Sequence, residues 1–115
     1  MKQSFRKEDK LTSPRQFKRI LYKGKKVRRG CIELSSGKSA DSRPRLGIII
    51  SAKVANAVNR NRYKRKIREF FRTHKEFLEG KEIVIRLKKP VSDEWFNEFE
   101  EAMKEAFGVK EWTKN

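Results

Sequence analysis

Two periods of hydrophobic and polar residues run along this chain, and the changes between them mark its elements. Between Asn56 and Arg72, Ile67 follows Tyr63 by four residues, and Phe70 and Phe71 follow Ile67 by three and four. That spacing is one stripe of an α-helix with about 3.6 residues per turn. Asn61, Arg65, Arg68 and Arg72 repeat at the same spacing on roughly the opposite side, flanked by Arg62, Lys64 and Lys66. Asn56 and Asn59 are both able to cap the start of this helix. An earlier helix is predicted at Ser13-Pro14-Arg15-Gln16. Ser13 can cap, Pro14 suits the first helical position, and Gln16 completes a Ser-x-x-Gln box. Phe17, Ile20 and Leu21 form its apolar face, and Gly24 can end it.

Elsewhere the period is two. Alternation over Cys31–Ser35 predicts a strand with Ile32 and Leu34 facing inward. The turn-rich stretch from Gly37 to Pro44 leads to a second strand, Arg45–Ser51, apolar enough to be central. Glu82–Leu87 is a third strand, ended by Lys88-Lys89-Pro90. Ser92, Asp93 and Glu94 open a last helix, since acids suit the positive end of the helix dipole. Trp95, Phe99, Ala102, Met103 and Ala106 mark its buried face and Gly108 its end. Lys25–Arg29 reads as a basic link, Thr73 to Lys81 as a polar connection, and Met1 to Thr12 as a mobile basic segment. The order helix, strands, helix, strand, helix predicts an α+β fold. It is a single two-layer domain over residues 1–115, with helices packed on a small, mostly antiparallel sheet.

Charge changes this picture most. Of the 115 residues, 40% are charged, and the net charge is +16. Residues 1–72 hold 23 Lys or Arg against five acids, whereas residues 73–115 hold eight against ten. The thirteen residues from Arg60 to Arg72 carry seven Lys or Arg and one acid, Glu69. Such a ridge calls for a polyanion, and a field this strong favours nucleic acid or an anionic membrane surface. No apolar run approaches the roughly 20 residues needed to span a bilayer, so no membrane role is expected. Lys2, Arg6, Lys7 and Lys10 are not followed by the apolar segment of a signal peptide. A cytoplasmic protein is expected. One Cys (Cys31) and one His (His74) leave no internal disulfide and make a structural zinc site an unsupported reading.

No protein catalytic constellation is visible. Glu98, Glu101 and Glu105 have the spacing of a solvated helix face rather than of a metal-binding carboxylate pair. No Gly-rich loop precedes a helix to cradle a nucleotide. A nuclease working alone needs a metal site or a general base, and neither is found.

The run Lys53-Val54-Ala55-Asn56-Ala57-Val58, then Arg60-Asn61-Arg62, then Lys64-Arg65 and Arg68, resembles the signature of the bacterial ribonuclease P protein subunit. Ala55 stands where that family often has Gly. The resemblance extends from Leu11 through Pro90, and more loosely to the C-terminus. It implies a ribonucleoprotein whose RNA subunit carries the catalysis and requires magnesium, with no cofactor held by the protein. The reaction it implies is removal of the 5′ leader of precursor tRNA. The partners implied are the ribonuclease P RNA and precursor tRNA, with no obligate protein partner. By the same resemblance Arg60, Asn61, Arg62, Lys64, Arg65 and Arg68 are expected to grip the catalytic RNA. Phe17, Leu21, Lys53, Lys88 and Lys89 are expected to line a cleft for the leader. Ser35 lies near where relatives can carry an aromatic. The resemblance also implies a fourth strand, giving the order α-β-β-(β)-α-β-α, and a left-handed strand-helix-strand crossover around the basic helix.

The runner-up reading is a ribosomal or ribosome-assembly protein that binds rRNA, which composition alone does not separate from the first. A helix-turn-helix DNA binder is disfavoured because the basic helix follows a strand directly. A stand-alone nuclease is disfavoured for want of ligands.

Overall fold

Pro14 opens α1 (Pro14–Lys23), its ring already set at a helical φ. The computed structural model describes residues 9–39 and 41–108. Ser13 occupies the N-cap in extended backbone, but its side chain makes no capping bond, so the expected box with Gln16 is not formed. The Phe17 N–H instead donates to the Ser13 carbonyl at 3.1 Å. Gly24 ends the helix, as expected.

The chain then runs through β1 (Lys25–Arg29), β2 (Ile32–Lys38), β3 (Arg45–Ile49), α2 (Ala57–Thr73), β4 (Lys81–Leu87) and α3 (Trp95–Phe107). A short 3-10 helix, Lys75–Leu78, lies within the stretch expected to be a plain connection and buries Leu78. β1 is the fourth strand, in the segment that reads as a basic link. It pairs antiparallel with β2 through a turn at Gly30, whose φ of +55° suits a residue without a side chain. The sheet order is β1-β2-β4-β3. β2 and β4 are antiparallel; β3 and β4 are parallel neighbours and α2 is the crossover between them.

Side chains leave a strand on alternate faces, so the register decides which residues share a surface. Ile32, Leu34, Leu46, Ile83, Ile85 and Leu87 meet Ile67, Phe70 and Phe71 of α2 and Trp95, Phe99, Ala102 and Met103 of α3. Each fully buried side chain of this size stabilises by about 1.5–3 kcal/mol relative to exposure. A smaller cluster on the opposite face joins Leu11, Ile20 and Val84 to Phe17, Leu21 and Ile49. The expected layers of sheet and helices are therefore joined by α1 alone on the other face. β2 lies between both clusters, and Glu33 and Ser35 are buried along with Ile32 and Leu34.

The expected mobile segment falls mostly on residues outside the described ones. Within them, the Leu11 N–H donates to the Leu46 carbonyl at 3.0 Å and Leu11 is buried, so the expectation does not hold there. Trp112 and the rest of the tail also lie outside the described residues. His74 is buried and stacked on Phe70 at 4.0 Å between ring centres.

Candidate nucleic-acid interface

The start of α2 is set by Asn56, whose side-chain oxygen accepts the Asn59 N–H at 2.9 Å. That cap satisfies one of the first-turn donors and fixes the helical frame. In this frame Asn61, Arg62, Arg65 and Arg68 are exposed, while Arg60 and Lys64 are half-buried. Arg60 is partly spent on structure, since its Nη1 donates to the Ala55 carbonyl at 2.8 Å. Lys66 turns away toward α3 and sits 5.2 Å over the Phe96 ring, a cation–π contact. Asn61, Arg65, Arg68, Glu69 and Arg72 line one hollow of about 340 Å³. Arg72 is held by Glu69, Nε to Oε2 at 3.2 Å. The hydrogen bond to Glu69 raises the Arg72 pKa above its ordinary value, so its charge is permanent.

The face that carries α1 is only half covered. Register places Lys26, Ser35, Val84 and Gly47 in one row across the four strands, and Arg28, Glu33, Arg86 and Ile49 in the next. α1 lies over the first row and the one before it: Ile20 packs with Val84, and Arg19 Nη2 reaches the buried Glu82 at 2.8 Å. The second row forms an open floor beside the helix. Phe17 and Leu21 of α1 face Ile49 across a groove of about 760 Å³, which Pro14, Arg15 and Lys18 also line. Gly47 makes this wall possible. A Cβ there would stand 2.4 Å from two Phe17 ring carbons, so only glycine lets the ring lie against the strand.

Phe17 also lines a second hollow of about 160 Å³ with Gly47, Lys64 and Arg68. The ridge and the groove expected to be separate surfaces thus meet at the β3 edge of the sheet. Lys53 is exposed in the turn after β3, and Lys88 and Lys89 are exposed just after β4. Because β3 and β4 run parallel, these three lysines leave the same end of the sheet.

Sequence reasoning missed Lys26, Arg28 and Arg86. Arg28 Nε donates to Glu33 Oε2 at 2.8 Å, Lys88 Nζ lies 3.4 Å from the same oxygen, and Arg86 Nη1 lies 3.5 Å from Oε1. Lys26 Nζ donates to Ser35 Oγ at 3.2 Å. Burial pushes the Glu33 carboxyl up, but the Arg28 hydrogen bond and the charges of Lys88 and Lys26 outweigh it and leave its pKa below the ordinary value. Glu33 is therefore ionised and surrounded by cations. The available signal was the alternation in Lys25-Lys26-Val27-Arg28-Arg29, with Val27 on the core face and Lys26 and Arg28 opposite.

Of the three acids expected on a solvated face of α3, Glu101 is exposed as expected, whereas Glu98 and Glu105 are engaged. Glu98 accepts from the Cys31 N–H at 3.1 Å and from its thiol at 3.3 Å, and Glu105 pairs with Arg29. They clasp the β1–β2 turn to α3. Burial, first, raises the Cys31 pKa, which leaves the thiol protonated. Among the described residues no group of three or more His, Cys, Asp or Glu is placed to hold a metal ion. Among them, too, no helix is long and apolar enough to cross a membrane.

The model of the family described as Ribonuclease P matches residues 5–111. A ribonuclease P protein component of Desulfosudis oleivorans is 45% identical over 75 residues, which cover 65% of this chain and 62% of that protein. The component of Pseudomonas fluorescens is 40% identical over 96 residues, 81% of this chain and 71% of the relative. A solved structure of a Staphylococcus aureus RNase P protein mutant has a TM-score of 0.80 and 31% identity over 87% of this chain and 89% of that one. The Thermotoga maritima RNase P protein has a TM-score of 0.71 and 28% identity, covering 89% of this chain and 98% of that one. With its fold, its basic helix and nearly all of its length matched in this way, the chain belongs to the bacterial ribonuclease P protein family.

Proposed function

We propose that the chain binds the catalytic RNA of ribonuclease P through the α2 ridge and the 5′ leader of precursor tRNA through the α1 groove. The RNA, with magnesium, performs the hydrolysis that releases the leader; this chain contributes affinity and position. Arg60, Asn61, Arg62, Lys64, Arg65 and Arg68 serve the RNA contact, where the arginine fork matches phosphate geometry. Phe17 and Leu21 give the leader an apolar surface, and Lys53, Lys88 and Lys89 neutralise its phosphates. Single-stranded RNA is commonly held by this combination of stacking and charge, with little reading of sequence.

The observation that carries this reading is the open groove in which the Phe17 ring lies on Gly47, with Lys64 and Arg68 of α2 around the same ring. A purely ridge-based binder has no need of an apolar slot. The test is a crosslink. A precursor tRNA with photoreactive uridines in its leader, bound to the reconstituted complex, is expected to label peptides of α1 and β3. Label confined to α3 or to the β1–β2 turn contradicts the assignment.

A further inference from the structure

We propose that Glu33 is a positioning residue, which holds Arg28, Arg86 and Lys88 as a preformed phosphodiester subsite on the open half of the groove floor. The inference rests on reading the α1 groove as the seat of a single RNA strand, and it names what grips that strand beyond the groove. Three observations carry it. Glu33 has a side chain 5% exposed, whereas Arg28, Arg86 and Lys88 are 65%, 40% and 48% exposed. The carboxylate is thus sunk in the floor while its three cations stand in solvent above it. One negative charge cannot neutralise three positive ones, so the row retains a surplus that only an external anion offsets. Arg28 uses Nε for Glu33, and among the described residues its two Nη groups have no hydrogen-bond partner. Those are the donors that face a phosphate in a forked contact.

The placement fits a strand leaving the groove. Ile49, in the apolar groove, is the register partner of Arg86. Adjacent strands lie about 4.8 Å apart, so a base resting on Ile49 brings its backbone to Arg86 and then to Arg28. Ser35, in the neighbouring row, is small and buried and offers no ring for stacking. Charge does the work at this point of the floor.

Without the Glu33 charge, Arg28 of β1 and Arg86 of β4 would flank an uncharged position on β2, the strand between them, and nothing would draw the two like charges together. The arginines would splay, and each would lose orientation before meeting an anion. This gives a test in which position and charge predict opposite signs. Glu33→Gln removes a negative charge, so a simple field would bind RNA more tightly. The positioning account expects weaker binding, by about threefold to tenfold, which is the net range of one ordinary hydrogen bond and suits contacts that stand in solvent.

The full chain, reconstituted with ribonuclease P RNA, is titrated with leader-bearing precursor tRNA and with mature tRNA. The wild-type complex is expected to prefer the precursor; lack of that preference sinks the function reading itself. Given the preference, Glu33→Gln is expected to reduce precursor affinity and spare mature tRNA. Unchanged or tighter precursor binding overturns the inference while the function reading stands. Should Glu33→Gln fail to fold, Arg28→Lys decides. It keeps the charge at an exposed site but loses the Nε bond and the fork. A similar threefold to tenfold loss supports the subsite, and unaltered precursor affinity refutes it.

Discussion

Replacing Phe17 with alanine separates a binding wall from a core residue. The ring is half-buried, rests on Gly47 and lines both hollows of the α1 face. Burying a whole Phe side chain is worth about 1.5–3 kcal/mol, so half of it puts the folding loss near 1 kcal/mol. A fully packed Phe would cost about 3–5 kcal/mol on truncation. For a domain of this size the smaller figure lowers the melting temperature by roughly 4 °C. Loss of one base stacked on the ring costs about 1–3 kcal/mol of binding, or roughly fivefold to a hundredfold. The assay pairs a thermal melt with titration of the reconstituted complex by precursor and by mature tRNA. Mature tRNA has no leader, so only the precursor is expected to weaken. If the folded variant binds the precursor normally, or loses both RNAs equally, Phe17 is core and the groove is not the leader's seat. A melting loss of the larger size also counts against the wall.

Removing Arg65 and Arg68 together is expected to weaken assembly with the catalytic RNA and leave the fold intact. With about six phosphate contacts the wild-type slope of log affinity on log salt is near −4 to −5, and the double variant should flatten it by about 1.5 to 2; an unchanged slope removes these residues from the contact. Gly30→Ala is expected to destabilise by more than about 1 kcal/mol, because a side chain at positive φ is strained, and its Cβ would stand 2.2 Å from the Glu98 carboxyl carbon. A melt equal to wild type would mean that Glu98 does not clasp the turn. The depressed pKa of Glu33 gives stability that is present above its unfolded value and is lost as pH falls through the folded one. Glu33→Gln should therefore melt with a shallower loss on acidification below about pH 4.5, and parallel acid curves would deny the ion cluster a stabilising role.

The legible parts of this molecule were those where one residue's environment follows from its own helix or strand. The α2 stripe of Tyr63, Ile67, Phe70 and Phe71 needs only helical spacing, and the ridge of Asn61, Arg65 and Arg68 is its complement. β1 was illegible because it is an edge strand with a single inward apolar residue, Val27. Its remaining side chains are all basic, which is also how a linker reads. The buried Glu33 and Ser35 broke the expected alternation because Ser35 lies in the row under α1 and Glu33 lies under the side chains of Arg28, Arg86 and Lys88. The row Arg28–Glu33–Arg86 depends on pairing among three strands, two of them far apart in sequence. No local pattern encodes that register. Phe17 and Leu21 were legible as an apolar helix face, but their groove depends on Gly47, a long-range partner. Ridge and groove looked independent for the same reason, since the crossover that brings Lys64 and Arg68 beside Phe17 is a tertiary feature.

The central claim is that this chain supports cleavage carried out by an RNA partner, and a reconstituted cleavage assay at low magnesium addresses it most directly. Precursor tRNA is incubated with ribonuclease P RNA alone, with rigorously RNA-free chain alone, and with both. The account predicts leader release by the pair at least about tenfold faster than by the RNA alone, the effect of about 1.4 kcal/mol of barrier, and none by the chain alone. Equal rates with and without the chain, or sustained cleavage by the chain without RNA, would contradict it.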